Sequence, residues 1–104
     1  MRRWLALLCL VGLAACGGGD ESLADRGGRV YTANCTACHH VNPAIAGTLG
    51  PAIAGSTRDL VEARVLRAEY PPGYSPKDDT TLMQPLPFLA DDIDALTAFL
   101  DEKR

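Results

Sequence analysis

Cys35-Thr36-Ala37-Cys38-His39 is the stretch of this chain whose residue types and spacing speak most directly of chemistry. Two thiols three positions apart can each add across one vinyl group of a porphyrin. The next residue then lies beneath the central metal. An imidazole there supplies a proximal nitrogen ligand, so Cys-x-x-Cys-His is a pattern for covalent haem attachment and one-electron chemistry. The competing readings are a Cys35–Cys38 disulfide, a thioredoxin-like redox couple and a zinc site. A redox couple leaves His39 without a role, and no strand–helix pattern precedes it. Zinc needs a second ligand pair, and none follows.

An iron held by His39 has a second axial position. His40 is the only other histidine, and it is adjacent to His39, so it cannot pass around the porphyrin edge. Met83 is the sole methionine once Met1 is removed with a leader, and it stands in a proline-rich segment. A single Met is usually core filler. Elimination makes this one the candidate second axial ligand. A thioether favours the softer ferrous iron and raises the potential relative to two histidines. Iron with two protein ligands offers no open site to dioxygen or peroxide.

With 104 residues the chain holds one small domain. Arg2 and Arg3 precede an apolar run from Trp4 to Ala15. That run is short for a membrane span and reads as a secretory signal. Its end, Leu13-Ala14-Ala15-Cys16, resembles the lipobox of bacterial lipoproteins. The resemblance implies that residues 1–15 are a signal peptide and that Cys16 is lipidated as the first mature residue. Residues 16–24 are then a Gly-rich flexible tether, and 25–104 a domain held by lipid on the extracytoplasmic (periplasmic) side of a bacterial membrane. An ordinary signal peptide that ends by chance at a cysteine is the plainer alternative. On the lipoprotein reading Cys9 leaves, Cys16 takes lipid, and Cys35 and Cys38 take haem, so none is left for a disulfide framework.

Removing the leader takes away Arg2 and Arg3 but no acidic residue, so a net charge of −3 becomes −5. This argues against nucleic acid as a partner. The acidity either matches a basic face on a redox protein partner or only keeps the domain soluble. No acid–base or nucleophile constellation accompanies the motif. Neither a small-molecule substrate nor enzymatic activity is expected.

Three helices are legible, and strand signals are poor. The first runs from about Ala24 to Cys38, with Gly27, Tyr31 and Cys35 on one face at i, i+4 and i+8. A glycine inside a helix costs up to about 1 kcal/mol against Ala, and close approach of another helix is a reason for it. The second runs from about Thr57 to Glu69. Ser56 and Asp59 resemble a capping box, and Pro71 and Pro72 stop the helix. Leu60, Val61, Val65 and Ala68 form its apolar face. The third runs from about Ala90 to Lys103, with Ile93, Leu96, Phe99 and Leu100 on one face. Asp91, Asp92 and Asp94 at its start and Lys103 and Arg104 at its end complement the macrodipole. Residues 70–89 carry five prolines and no periodicity. Prolines lower the entropy lost on ordering, so this segment reads as a wall around something. Three short helices make a marginal core. A covalent haem would supply the missing apolar volume, and the haem-free chain is expected to be largely unstructured.

The residues now assembled resemble a class I cytochrome c, from about Gly27 to Leu100. Gly27 and Tyr31 stand where that family places a glycine and an aromatic residue before its haem motif. Leu96 and Phe99 match the C-terminal helix residues that pack on them. Gly50-Pro51-Ala52-Ile53-Ala54-Gly55 resembles the family's Gly-Pro-x-Leu-x-Gly segment. Pro51 lies twelve residues after His39, where the resemblance implies a proline carbonyl accepting the N–H of the proximal imidazole. Met83-Gln84-Pro85-Leu86-Pro87-Phe88 is similar to the family's Met-Pro-Pro-Phe ligand loop, with Gln84 as a departure. Pro72-Gly73-Tyr74 looks like the cytochrome c domains attached to haem–copper oxidase subunits.

The resemblance implies an all-α fold, with three main helices and a Pro-rich ligand loop around one covalent haem c. It implies axial ligation by His39 and Met83. Tyr70 and Tyr74 are candidates to line the pocket, and Arg58, Arg64 or Arg67 to pair with a haem propionate. Three functions compete: a lipid-anchored electron carrier, the haem subunit of a larger membrane-associated dehydrogenase or terminal oxidase, and a haem enzyme or sensor with an open iron site. Met83 speaks against the third.

Overall fold

The computed structural model describes residues 21–78 and 81–104. The leader, Cys16 and the tether up to residue 20 lie outside the described residues. Three α-helices are present, with no strand among the described residues: α1 (Leu23–Asn34), α2 (Arg58–Arg67) and α3 (Ile93–Glu102). The fold is all-α, as the helical periodicity predicts.

Helix α1 begins at Leu23, inside the segment read as tether. Ser22 caps it by accepting the Asp25 N–H at 3.0 Å. Its regular part ends at Asn34, four residues before the predicted end. Beyond that the chain turns more tightly. The amides of Cys38 and His39 both donate to the Cys35 carbonyl, at 3.2 and 2.9 Å, so the haem motif forms a compact turn.

Helix α2 is capped by Thr57 and not by Ser56. Thr57 is extended (φ −68, ψ 158) and its hydroxyl accepts from the Leu60 N–H at 3.3 Å. The Ser56 hydroxyl turns back and donates to the Ile53 carbonyl at 2.6 Å. The helix also stops before the prolines. Ala68 adopts a left-handed conformation (φ 54) and donates to the Arg64 carbonyl. Glu69 donates to the Ala63 carbonyl at 3.0 Å. The backbone change thus precedes Pro71 by three residues.

Helix α3 is preceded by a 3-10 helix over Pro87–Asp92. Its acidic start does more than complement the macrodipole. Asp92 pairs with Arg26 of α1 and Asp94 with Arg58 of α2, at 2.5 and 2.6 Å. These exposed pairs orient the three helices more than they stabilise them.

The core lies between α1 and α3, closed below by α2. Tyr31, Val61, Val65, Leu89, Ile93, Leu96 and Leu100 form its buried cluster. At the crossing of α1 and α3 the backbones almost touch. A Cβ on Gly27 would lie 1.9 Å from the Ala95 carbonyl oxygen and 2.9 Å from Phe99 Cβ. The helical cost of this glycine is therefore offset by the contact it permits. Tyr31 packs its ring on Phe99, with centroids 5.2 Å apart. Its hydroxyl donates to the His40 carbonyl, which ties the crossing to the chain just after His39.

Candidate haem site

The turn after α1 places Cys35, Cys38 and His39 on one side of a cavity of about 290 Å³. Helix α2 supplies Val61 and Val65 as its floor, and α3 contributes Leu96 and Leu100. The described residues of the proline-rich segment add Leu82, Met83 and Leu86 to the lining, bringing Met83 into the same cavity. Met83 is half-buried and packs against the core cluster.

Cys35 and Cys38 are free thiols. Burial pushes the Cys35 thiol up to about 11, with the neighbouring Cys38 adding to the shift. A thioredoxin-like couple needs a depressed thiol, so this environment is the wrong one for it.

The His39 ring is fixed from two sides. Its Nδ1 lies 3.1 Å from the Pro51 carbonyl oxygen. With Nδ1 carrying the proton, that contact is an N–H donating to the carbonyl, and Nε2 keeps its lone pair. Gly50 forms the other constraint. A Cβ there would come within 2.5 Å of Cε1 and 2.6 Å of Nδ1. The backbone of residues 49–50 is held in place by amide donation from Leu49 and Gly50 to the Cys38 carbonyl, at 3.2 and 2.9 Å. Sequence reasoning placed Gly50 within a segment but missed its role against the ring. The signal was its position immediately before Pro51.

Around the rim, Tyr70 and Tyr74 line the cavity and stack with near-parallel rings 5.4 Å apart. The Arg64 guanidinium sits 4.1 Å over the Tyr70 ring and donates to the Ala68 carbonyl at 2.8 Å. The structure separates the three arginines. Arg64 lines the cavity. Arg58 is taken up by Glu62 and Asp94, and Arg67 by Glu69. Lys77, which the sequence did not single out, also lines the cavity and donates to the Ala52 carbonyl at 2.6 Å.

The residues fit a haem. The cavity is lined mainly by apolar side chains, two free thiols and one oriented imidazole face it, and its polar rim offers cations. No buried side-chain polar atom among the described residues lacks a hydrogen-bond partner, so the cavity makes no demand for a polar ligand in its depth.

Fold and site together define a small all-helical protein built around one large apolar group. The family model described as Cytochrome c matches residues 24–103, and the chain belongs to the cytochrome c family. No curated protein and no solved structure gives a significant match. The family carries a covalently bound c-type haem with iron and serves haem-based electron transfer between redox proteins. Cytochrome c domains are typically extracytoplasmic. No helix among the described residues is long and apolar enough to cross a membrane.

Proposed function

We propose that this protein is a lipid-anchored electron carrier whose single haem c would be held covalently by Cys35 and Cys38, with His39 and Met83 as the ligands its iron would take. The observation that carries the reading is that these four side chains line one apolar cavity. When bound, the haem supplies reversible one-electron exchange at its iron. The chain's own residues do the rest. His39 offers Nε2 because Pro51 and Gly50 fix its ring. Met83 would offer a thioether from the proline-rich segment as the second ligand, which would leave no opening at the iron for a substrate. Val61, Val65, Leu96 and Leu100 exclude water. Arg64 meets the anionic edge with a charge already pinned by Tyr70 and the Ala68 carbonyl. Cys16 supplies the address through its lipid.

Carbon monoxide is the test. The reduced protein is expected to show a low-spin spectrum that carbon monoxide leaves unchanged. The oxidised protein should show the weak Met-to-iron band in the near red. Met83→Ala should lose that band, bind carbon monoxide and lower the midpoint potential. Avid carbon monoxide binding by the wild type would defeat the assignment of Met83. The anchor is tested separately: Cys16→Ser should move the holoprotein from the membrane to the soluble fraction. A holoprotein that purifies only with a dehydrogenase or oxidase would make it a fixed subunit instead.

A further inference from the structure

No Asp, Glu, Lys or Arg occurs between Arg29 and Arg58. That uncharged stretch contains the thiol pair, His39, the 40–50 loop and Pro51. The loop folds back over the haem motif through the amide bonds to Cys38 already described, and it places Val41 in a shallow surface depression with His39 and His40. Val41 and Ile45 are 66% and 49% exposed. Neither lines the haem cavity, so a bound haem does not account for them.

The acidity of the chain lies elsewhere. Asp78 is the only acidic residue among the described residues that line the cavity. Asp92, Asp94, Glu62, Glu69 and Asp101 are engaged with arginines on the helices and at the chain end. Net charge therefore says little about the face next to His39. Exposed apolar side chains on an uncharged loop beside a functional centre match the centre of a protein interface, where charged residues are depleted.

We propose that the 40–50 loop, centred on Val41 and Ile45, is the docking face for a redox protein whose own contact surface is apolar and uncharged. The choice of occupant follows from charge complementarity. A basic partner would find no carboxylate on this stretch, whereas an apolar one desolvates no charged side chain there. The proposal rests on the electron-transfer reading above. It predicts docking that is insensitive to salt, because no exposed ion pairs are made.

The haem-loaded full chain can be adsorbed on gold electrodes whose alkanethiol films end either in methyl and hydroxyl groups or in ammonium groups. Reversible one-electron exchange is expected on the uncharged film, with a rate that stays level from about 0.01 M to about 1 M salt. Val41→Lys/Ile45→Lys should slow it by about tenfold or more. Leu23→Lys, at a residue 50% exposed on α1, should not. A lipid at Cys16 would adsorb all three proteins alike, so the difference between them reads the face. An unchanged visible spectrum shows that the variants are folded.

Equal rates in the wild type and Val41→Lys/Ile45→Lys would overturn the proposal. So would faster, salt-sensitive exchange on the ammonium film. If the double variant instead loses only its binding to phosphatidylcholine vesicles, the face is a lipid contact and the proposal fails. A holoprotein with no one-electron wave on either film would overturn the electron-transfer reading itself, and this proposal with it.

Discussion

His39 shows how much of the site depends on single atoms. Its ring has room because Gly50 has no Cβ, and it has an orientation because the Pro51 carbonyl lies 3.1 Å from Nδ1. Gly50→Ala puts a methyl group into the ring's space and should break that contact. An imidazole that loses such a partner is less basic. The midpoint potential is therefore expected to rise and the yield of holoprotein to fall, measured by potentiometry and by haem absorbance per polypeptide. An unchanged potential would show that the ring has another way to hold its place. The arginines can be separated in the same manner. Arg64→Leu removes a cation from the cavity rim, which favours the oxidised state, and the potential should fall on the order of tens of millivolts. Arg58→Leu acts on surface pairs with Glu62 and Asp94 and should move it far less.

Among the elements, the ends of the helices were the hardest to read. Ser56 and Thr57 are both capping residue types, and adjacent hydroxyls give nearly the same pattern. Only the backbone angles and the Leu60 contact select Thr57. Thr57→Ala should cost about 1 kcal/mol in denaturant unfolding of the holoprotein. Ser56→Ala removes a bond to the Ile53 carbonyl instead, so its cost is not that of a helix cap. If Ser56→Ala lowered the helix content of the α2 region as much as Thr57→Ala, the cap assignment would be wrong. The α1–α3 crossing was far more legible. Gly27 stands at helical spacing from Tyr31 and Cys35, and a glycine with that cost implies a close neighbour. The neighbour's identity, the Ala95 carbonyl, was not readable, because a backbone atom leaves no trace in sequence.

For the whole molecule, stability joins the fold to the haem. The buried apolar cluster is small, and the cavity takes its lining from the same residues, among them Tyr31, Val61, Val65, Leu96 and Leu100. Without the haem these side chains would face an open apolar space. A domain of this size has little reserve to tolerate that. The haem-free chain, made as Cys35→Ala/Cys38→Ala without haem loading, is expected to show weak near-ultraviolet dichroism and no cooperative thermal transition. A sharp transition with native-like helix content would show that the helices hold the cavity open unaided.

The amino-acid sequence by itself determined the chemistry and the helical class. A Cys-x-x-Cys-His spacing is local, so covalent geometry alone ties the two thiols to the imidazole. Helical periodicity is local too, and it placed all three helices. The tertiary structure decided what depends on approach between distant segments. It brought Met83 into the cavity of His39, set Gly50 against the ring, and kept Arg64 at the rim while Arg58 and Arg67 were drawn to carboxylates. It also put Val41 of the charge-free 40–50 loop on the surface beside His39. A net charge sums over the chain, whereas a docking partner meets only one face, and only the fold says which residues share it.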